Sequence, residues 1–205
     1  MIDGFELHPG YLDLASQRRL VEAVGAIAAA APPYRAVMPR SGRPLSVRMT
    51  NAGPLGWYTD RGGYRYEALH PGTGLPWPAI PEPLLDLWRR LAHYPVPPEC
   101  CLVNFYDHDA ARMGLHRDSD EAALDAPVLS VSLGDTALFR IGGTTRRDPT
   151  HSLRLTSGDV LLLRGRARHA YHGIDRIQPG SSRLLGDAGG RINLTLRRVT
   201  LPPPG

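Results

Sequence analysis

Arg191-Ile192-Asn193-Leu194-Thr195-Leu196-Arg197 alternates polar and apolar side chains without a break. Successive side chains of an extended strand point to opposite faces, so Arg191, Asn193, Thr195 and Arg197 share one face and Ile192, Leu194 and Leu196 the other. The apolar row suits the packed side of a sheet. The polar row has two readings: a solvated edge, or the wall of a cavity. In a cavity its two guanidiniums need two anions, because a buried unpaired charge is costly. A small dicarboxylate fits, since each arginine can hold a carboxylate bidentately.

The chain leading to this strand reads as short β segments at Cys101–Tyr106, Gly114–Asp118, Val128–Leu133, Ala137–Ile141, Ser152–Leu155, Asp159–Leu163 and His169–His172, with Arg191–Val199 as the last. Turn signals at Leu133-Gly-Asp135, Ile141-Gly-Gly143 and Ser157-Gly-Asp159 separate them. Eight such strands predict a β-sandwich of the jelly-roll type. The 22 glycines and 20 prolines argue against a helical bundle. Two amphipathic helices are predicted, one over Ala15 to Ala30 with Leu20, Val24 and Ile27 on a stripe, the other over Glu82 to Ala92 with Leu84, Leu85, Leu87 and Leu91. Between them Pro32 to Pro81 reads as long loops with a strand near Leu45 to Asn51, an irregular stretch that suits a binding lid. The expected architecture is therefore one mainly-β domain over 1–205, with N-terminal helices and a lid in 1–100 and a jelly-roll core in 101–199.

The 205 residues are 42% hydrophobic and 21% charged, enough for a core and unlike a disordered chain. No apolar run approaches membrane-spanning length, and the opening Met1-Ile-Asp-Gly lacks a secretory pattern. Cys100 and Cys101 are adjacent, which disfavours a thiolate zinc site or a disulfide framework. All 24 basic residues are arginine, which excludes Schiff-base and Walker-type lysine chemistry. From Arg140 onward, 12 arginines face only Asp148, Asp159, Asp175 and Asp187, a net charge of +8, whereas the preceding part carries −4. A basic half points to an anionic partner such as a nucleic acid backbone.

His116-Arg117-Asp118 places an imidazole and a carboxylate at i and i+2, on one face of a strand. With a distant histidine (His151, His169 or His172) they would make the two-histidine, one-carboxylate set that leaves three positions open on iron. The competing reading is a surface His–Asp pair.

His116-x-Asp118, Tyr171-His172-Gly173-Ile174 and the arginine strand at 191–197, in this order, resemble the AlkB family of Fe(II)- and 2-oxoglutarate-dependent nucleic acid dealkylases. The likeness runs from about residue 35 to 199 through Ser46-Val47-Arg48-Met49-Thr50-Asn51, Leu55-Gly56-Trp57, Pro76-Trp77-Pro78-Ala79 and Pro127 to Gly134. It implies a double-stranded β-helix core, His172 as the third metal ligand beside His116 and Asp118, and Fe(II), 2-oxoglutarate and O2 as cofactor and co-substrates. It assigns Arg197 to the distal carboxylate of 2-oxoglutarate and Arg191 to the one nearer the metal, with Asn104, Tyr106 and Asn193 as further contacts. Trp57, Tyr64, Asp120, Arg146 and Met49 match substrate-contacting positions, Trp57 suiting a flipped-out base. Asp120 would share the ligand face if the strand persisted, and its charge would favour a base made cationic by methylation. Arg40 and Arg43, and the 173–190 connection, depart from the family pattern. The implied activity is oxidative demethylation of 1-methyladenine and 3-methylcytosine in single- or double-stranded DNA, or in RNA, with release of formaldehyde: direct-reversal repair by a monomeric cytoplasmic enzyme with no membrane association. Two alternatives are a 2-oxoglutarate-dependent hydroxylase of a small molecule or protein side chain, and a nucleic acid binding protein with a vestigial metal site.

Overall fold

The computed structural model describes residues 2–107 and 110–203. In chain order it contains β1 (Phe5–His8), α1 (Leu14–Ala30), β2 (Arg48–Ala52), β3 (Gly56–Asp60), β4 (Gly63–Glu67), α2 (Glu82–Leu87) running on into a π-helical turn (Trp88–Ala92), β5 (Cys100–Tyr106), β6 (Met113–His116), β7 (Val128–Gly134), β8 (Thr136–Ile141), β9 (His151–Leu155), β10 (Val160–Leu163), a 3-10 turn (Gly165–His169), β11 (His172–Gln178) and β12 (Arg191–Arg197). All strand pairings are antiparallel. A six-stranded sheet runs in the order β1-β10-β7-β12-β5-β2, and a four-stranded sheet in the order β6-β11-β8-β9. Together they form the predicted jelly roll.

β12 occupies the middle of the larger sheet, with Leu194 opposite Val131 of β7 and Val103 of β5. Its apolar row, Ile192, Leu194 and Leu196, packs with Leu20, Val24 and Ile27 of α1 and with Leu84, Leu87 and Trp88. Asp13 starts α1 by accepting from the Ser16 amide at 2.7 Å, which satisfies one of the helix's free N-terminal donors. The helices therefore cover the outer face of the larger sheet. Its inner face meets the smaller sheet through Val128, Leu161, Leu163, Phe139, Ile141 and Ile174, and the polar row of β12 opens into that interior.

Several expectations are corrected. β6 stops at His116, so Asp118 lies beyond the strand end. The segment before His172 is a 3-10 turn, and β11 begins at His172 and continues to Gln178. A register shift between Ile174 and Arg176 buries both Ile174 and Ile177, which breaks the period-two pattern that would have marked this strand. Gly173 lets β11 approach β6: a Cβ there would lie 2.5 Å from the Met113 carbonyl oxygen. Residue 100 is not a structural boundary, since β1 pairs with β10 and β2 with β5, so both outer strands of the larger sheet come from the N-terminal hundred residues. The region read as loops also holds the β3–β4 hairpin. The 173–190 connection is pinned by buried Asp135, which accepts from the amides of Gly180, Ser182 and Gly190 at 3.3, 3.0 and 2.9 Å. Among the described residues no helix is long and apolar enough to cross a membrane.

Truncating Leu194, which is fully buried, leaves a cavity under the helices. Leu194→Ala is expected to lower the unfolding free energy by about 2–5 kcal/mol, read from the denaturant midpoint at an unchanged slope.

Candidate metal and co-substrate site

His172, the first residue of β11, lies directly across from His116, the last of β6, and the ring centroids are 4.6 Å apart. Each ring sets Nδ1 beside the carbonyl two residues earlier, His116 on Gly114 at 2.9 Å and His172 on Ala170 at 3.0 Å. With Nδ1–H donating to that carbonyl, Nε2 of each ring keeps its lone pair for a metal. Asp118 turns back toward both, with Oδ1 3.7 Å from His116 Nε2 and Oδ2 3.9 Å from His172 Nε2. One ligand atom from each of the three residues lies within 4.8 Å of the others. Arg168, itself buried, holds the Asp118 carbonyl oxygen at 2.8 Å and that of Ala126 at 3.0 Å. This fixes the turn that replaces the expected strand. His151 is exposed on β9 and His169 ends the 3-10 turn, and neither joins the cluster.

The charges are arranged for a cation. Burial alone would raise the Asp118 carboxyl, but Arg197, then His172 and His116, hold it well below the usual carboxylate range. Burial and the neighbouring His116 push His172 down to about 4 against the pull of Asp118. The site at neutral pH is thus a carboxylate with a neutral imidazole from β11, the protonation states a divalent metal requires.

The polar row of β12 lines the cavity that the three ligands also face, as do Asn104 and Tyr106 from β5. The order of the two arginines is the reverse of that expected. Arg197 Nη2 donates to Asp118 Oδ1 at 2.9 Å and so stands beside the candidate metal cluster. Arg191 sits at the other end, six residues along the strand, donating to Ser132 Oγ at 2.8 Å and to the Asp135 carbonyl oxygen at 3.4 Å. The cause is direction: β12 enters the sheet at its Gly134 end, away from β6, and reaches Asp118 with its final residue. Among the described residues Arg191 has no carboxylate partner, and burial pulls its guanidinium down to about 10, so it is still charged at neutral pH. Its Nε, Asn104 Oδ1 and Asp118 Oδ2 are buried without a hydrogen-bond partner among the described residues. An orphaned donor on the charged Arg191 and an orphaned oxygen in the histidine–aspartate cluster fit an anion and a cation. Tyr106, raised to about 12 by burial, keeps its proton and can donate. Asn193 differs: its amide nitrogen is engaged by Ser130 Oγ at 2.7 Å and the Val131 carbonyl at 3.1 Å, so it braces β12 against β7.

The remaining positions separate. Asn51 clamps the backbone of Trp57 from both sides, accepting from its N–H and donating to its carbonyl oxygen, each at 3.1 Å. That clamp starts the β3–β4 hairpin. On the hairpin Trp57 and Tyr64 stack, with centroids 5.7 Å apart and planes 23° off parallel, and Tyr64 is half exposed. Because β6 ends early, Asp120 does not share the ligand face; it accepts from Trp57 Nε1 at 2.8 Å. Arg146 is exposed, its guanidinium 5.9 Å from the Tyr171 ring centroid. Met49 is fully buried in β2 and offers no surface to a substrate, contrary to expectation; its backbone pairs with Tyr34. Sequence reasoning missed Arg168, Glu121 and Tyr66, which surround Arg197. Arg168 lies in an arginine-rich run that reads as surface, and only the flanking Ala167 and Ala170, both buried, hint otherwise.

The sequence profile of the 2OG-Fe(II) oxygenase superfamily matches residues 4–197. The alpha-ketoglutarate-dependent dioxygenase AlkB homolog of Caulobacter vibrioides is 59% identical over 97% of this chain and 89% of its own length. The alpha-ketoglutarate-dependent dioxygenase AlkB of Escherichia coli is 43% identical over 82% of this chain and 78% of its own. The DNA N(6)-methyladenine demethylase ALKBH1A of Arabidopsis thaliana is 34% identical over 62% of this chain and 44% of its own. The solved structure of OsALKBH1 superposes with a TM-score of 0.78 at 30% identity, covering 97% of this chain and 99% of that one. With a metal-ligand triad, a two-arginine cavity and these relatives, the chain belongs to the AlkB family of Fe(II)- and 2-oxoglutarate-dependent dioxygenases.

Proposed function

We propose that this dioxygenase removes methyl groups from N-alkylated bases, 1-methyladenine and 3-methylcytosine above all, in single-stranded DNA, with duplex DNA and RNA as secondary substrates. The observation that carries the reading is one cavity holding both the His116–Asp118–His172 cluster and the two buried guanidiniums of β12. Bound there, Fe(II) and 2-oxoglutarate supply O2-dependent hydroxylation of a C–H bond, which on an N-methyl group ends in loss of formaldehyde.

The chain's own part is binding, orientation and exclusion of water. His116, Asp118 and His172 would hold the iron. Arg197, beside Asp118, would take the 2-oxoglutarate carboxylate nearer the metal, and Arg191 the far one, with Tyr106 and Asn104 completing the cradle. The stacked Trp57 and half-exposed Tyr64 offer an aromatic platform for an unstacked base, and Asp120 lends its charge to the indole edge. Unstacking costs a few kcal/mol, less where alkylation has weakened pairing, which favours damaged sites and single strands. Arg146 and the net +8 of the C-terminal part supply contacts for phosphates. Two buried free thiols agree with a reducing, cytoplasmic setting. The exposed aromatic platform favours nucleic acid over a small molecule or protein side chain.

Formaldehyde release from oligonucleotides carrying 1-methyladenine or 3-methylcytosine, as single strand, duplex and RNA, with and without 2-oxoglutarate, tests this; no co-substrate-dependent release from any of them would refute it. Asp118→Ala is expected to abolish turnover while circular dichroism stays native, and retained turnover would remove Asp118 from the ligand set. Arg191→Ala is expected to raise the KM for 2-oxoglutarate at least about tenfold, the loss of a charged hydrogen-bonded pair. Trp57→Ala is expected to weaken oligonucleotide binding by about 1–3 kcal/mol, seen in anisotropy titration, and to affect 2-oxoglutarate binding less; the reverse order would remove the stacking role.

A further inference from the structure

Glu121 carries a carboxylate that is almost wholly buried, with a side-chain exposure of 1%, and it does not line the cavity. Three elements meet on it. Its Oε1 accepts from the Tyr66 hydroxyl of β4, and its Oε2 accepts from Arg168 Nη2 at 3.0 Å. Oε1 also makes an ionic contact of 3.5 Å with Arg197 Nε, without a hydrogen bond. The other end of the same guanidinium, Nη2, donates to Asp118 Oδ1 at 2.9 Å. Arg197 is therefore suspended between two carboxylates, one that belongs to the metal cluster and one tied to the hairpin.

Two arginines and two carboxylates balance in this buried group, so its geometry depends on which partners each charge finds. Burial raises the Tyr66 phenol far above its ordinary range, so it stays protonated and is the donor. If that donor is withdrawn, Oε1 of Glu121 is left without a hydrogen bond where water has no access, and Arg197 Nε is the cation within reach. The guanidinium is then drawn toward Glu121 and away from Asp118. Tyr66 pairs in register with Trp57 across the hairpin, so the strand that anchors the aromatic platform is the one that touches Glu121.

We infer that Tyr66 is a positioning residue: through Glu121 it holds Arg197 against Asp118, so that seating of the β3–β4 hairpin and binding of 2-oxoglutarate strengthen each other. This rests on the assignment of Arg197 and Asp118 to the co-substrate and metal site. Such coupling is reciprocal: whatever the hairpin gives to the co-substrate, the co-substrate returns to the hairpin.

Calorimetric titration of 2-oxoglutarate into the Mn(II)-loaded protein, combined with amide hydrogen exchange over Gly63–Glu67, tests the coupling. Wild type is expected to bind and Asp118→Ala not to; equal binding by both would overturn the site assignment itself. Tyr66→Phe is expected to weaken binding about tenfold. Tyr58→Phe, which removes a phenol from the same hairpin without touching Glu121, is expected to change it by less than about twofold. In wild type, 2-oxoglutarate is expected to slow exchange at 63–67, and in Tyr66→Phe to lose that effect. Wild-type affinity in Tyr66→Phe with a faster-exchanging hairpin would make Tyr66 a structural tether only and overturn the inference. Should Tyr66→Phe fail to fold, wild-type exchange decides, because an unprotected 63–67 strand in the presence of co-substrate also overturns it.

Discussion

A charge taken out of water between two β-sheets must find its opposite there, and β12 puts two guanidiniums in that position. The strand has no freedom in the matter. Ile192, Leu194 and Leu196 are claimed by the helices, so the alternation of the backbone sends Arg191 and Arg197 inward. Arg197 finds Asp118 at one end of the cavity. Arg191, at the other, finds among the described residues a hydroxyl and a carbonyl oxygen, and its Nε is left over. The asymmetry gives the cavity a direction, with a paired end at the metal cluster and an unsatisfied end that calls for an anion.

The metal cluster follows from a second constraint, the close pairing of β11 with β6. Gly173 permits the approach, and the pairing sets His172 across from His116 at the point where both strands leave the smaller sheet. Each imidazole is oriented by a carbonyl of its own chain two residues earlier, so orientation is a property of the local backbone and needs no distant side chain. Asp118 is different. It lies outside regular structure, and its placement depends on Arg168 and Arg197, which belong to other elements. Of the three side chains in the cluster, the carboxylate is the most sensitive to the rest of the molecule.

How much of this could be read in advance depends on the range of the interactions involved. The alternation of 191–197 states its own faces, and the jelly roll, the two helices and the cavity wall were legible from it and from the turn-separated segments around it. The direction of the two arginines was not, because it depends on which way β12 runs relative to β6, a fact of topology. The period of two in His116-x-Asp118-x-Asp120 predicts a strand through Asp118, and Asp120 on its face if it continues; Arg168, fifty residues away, holds the Asp118 carbonyl in the turn that replaces it. Met49 matched a motif, and its full burial follows from its place on β2, the outer strand of the larger sheet, whose inner side is covered. The hairpin at 56–67 was hidden among glycines and tyrosines because its strands are short and it is tied to the rest of the molecule by side chains, the Asn51 amide among them, which imitates a backbone partner.

The position of β12 has a consequence for synthesis. It is the last strand in chain order, yet it lies between β7 and β5, so neither neighbour has a partner on that side until residues 191–197 emerge from the ribosome. Until then the nascent chain carries two open strand edges and a half-built hydrophobic layer, the features that invite association with other chains. Closure joins segments between 85 and 97 residues apart in one late event, as Arg191 meets Tyr106 and Arg197 meets Cys100 in register. In this topology the sheet loses both open edges and the cavity gains both guanidiniums in the same step.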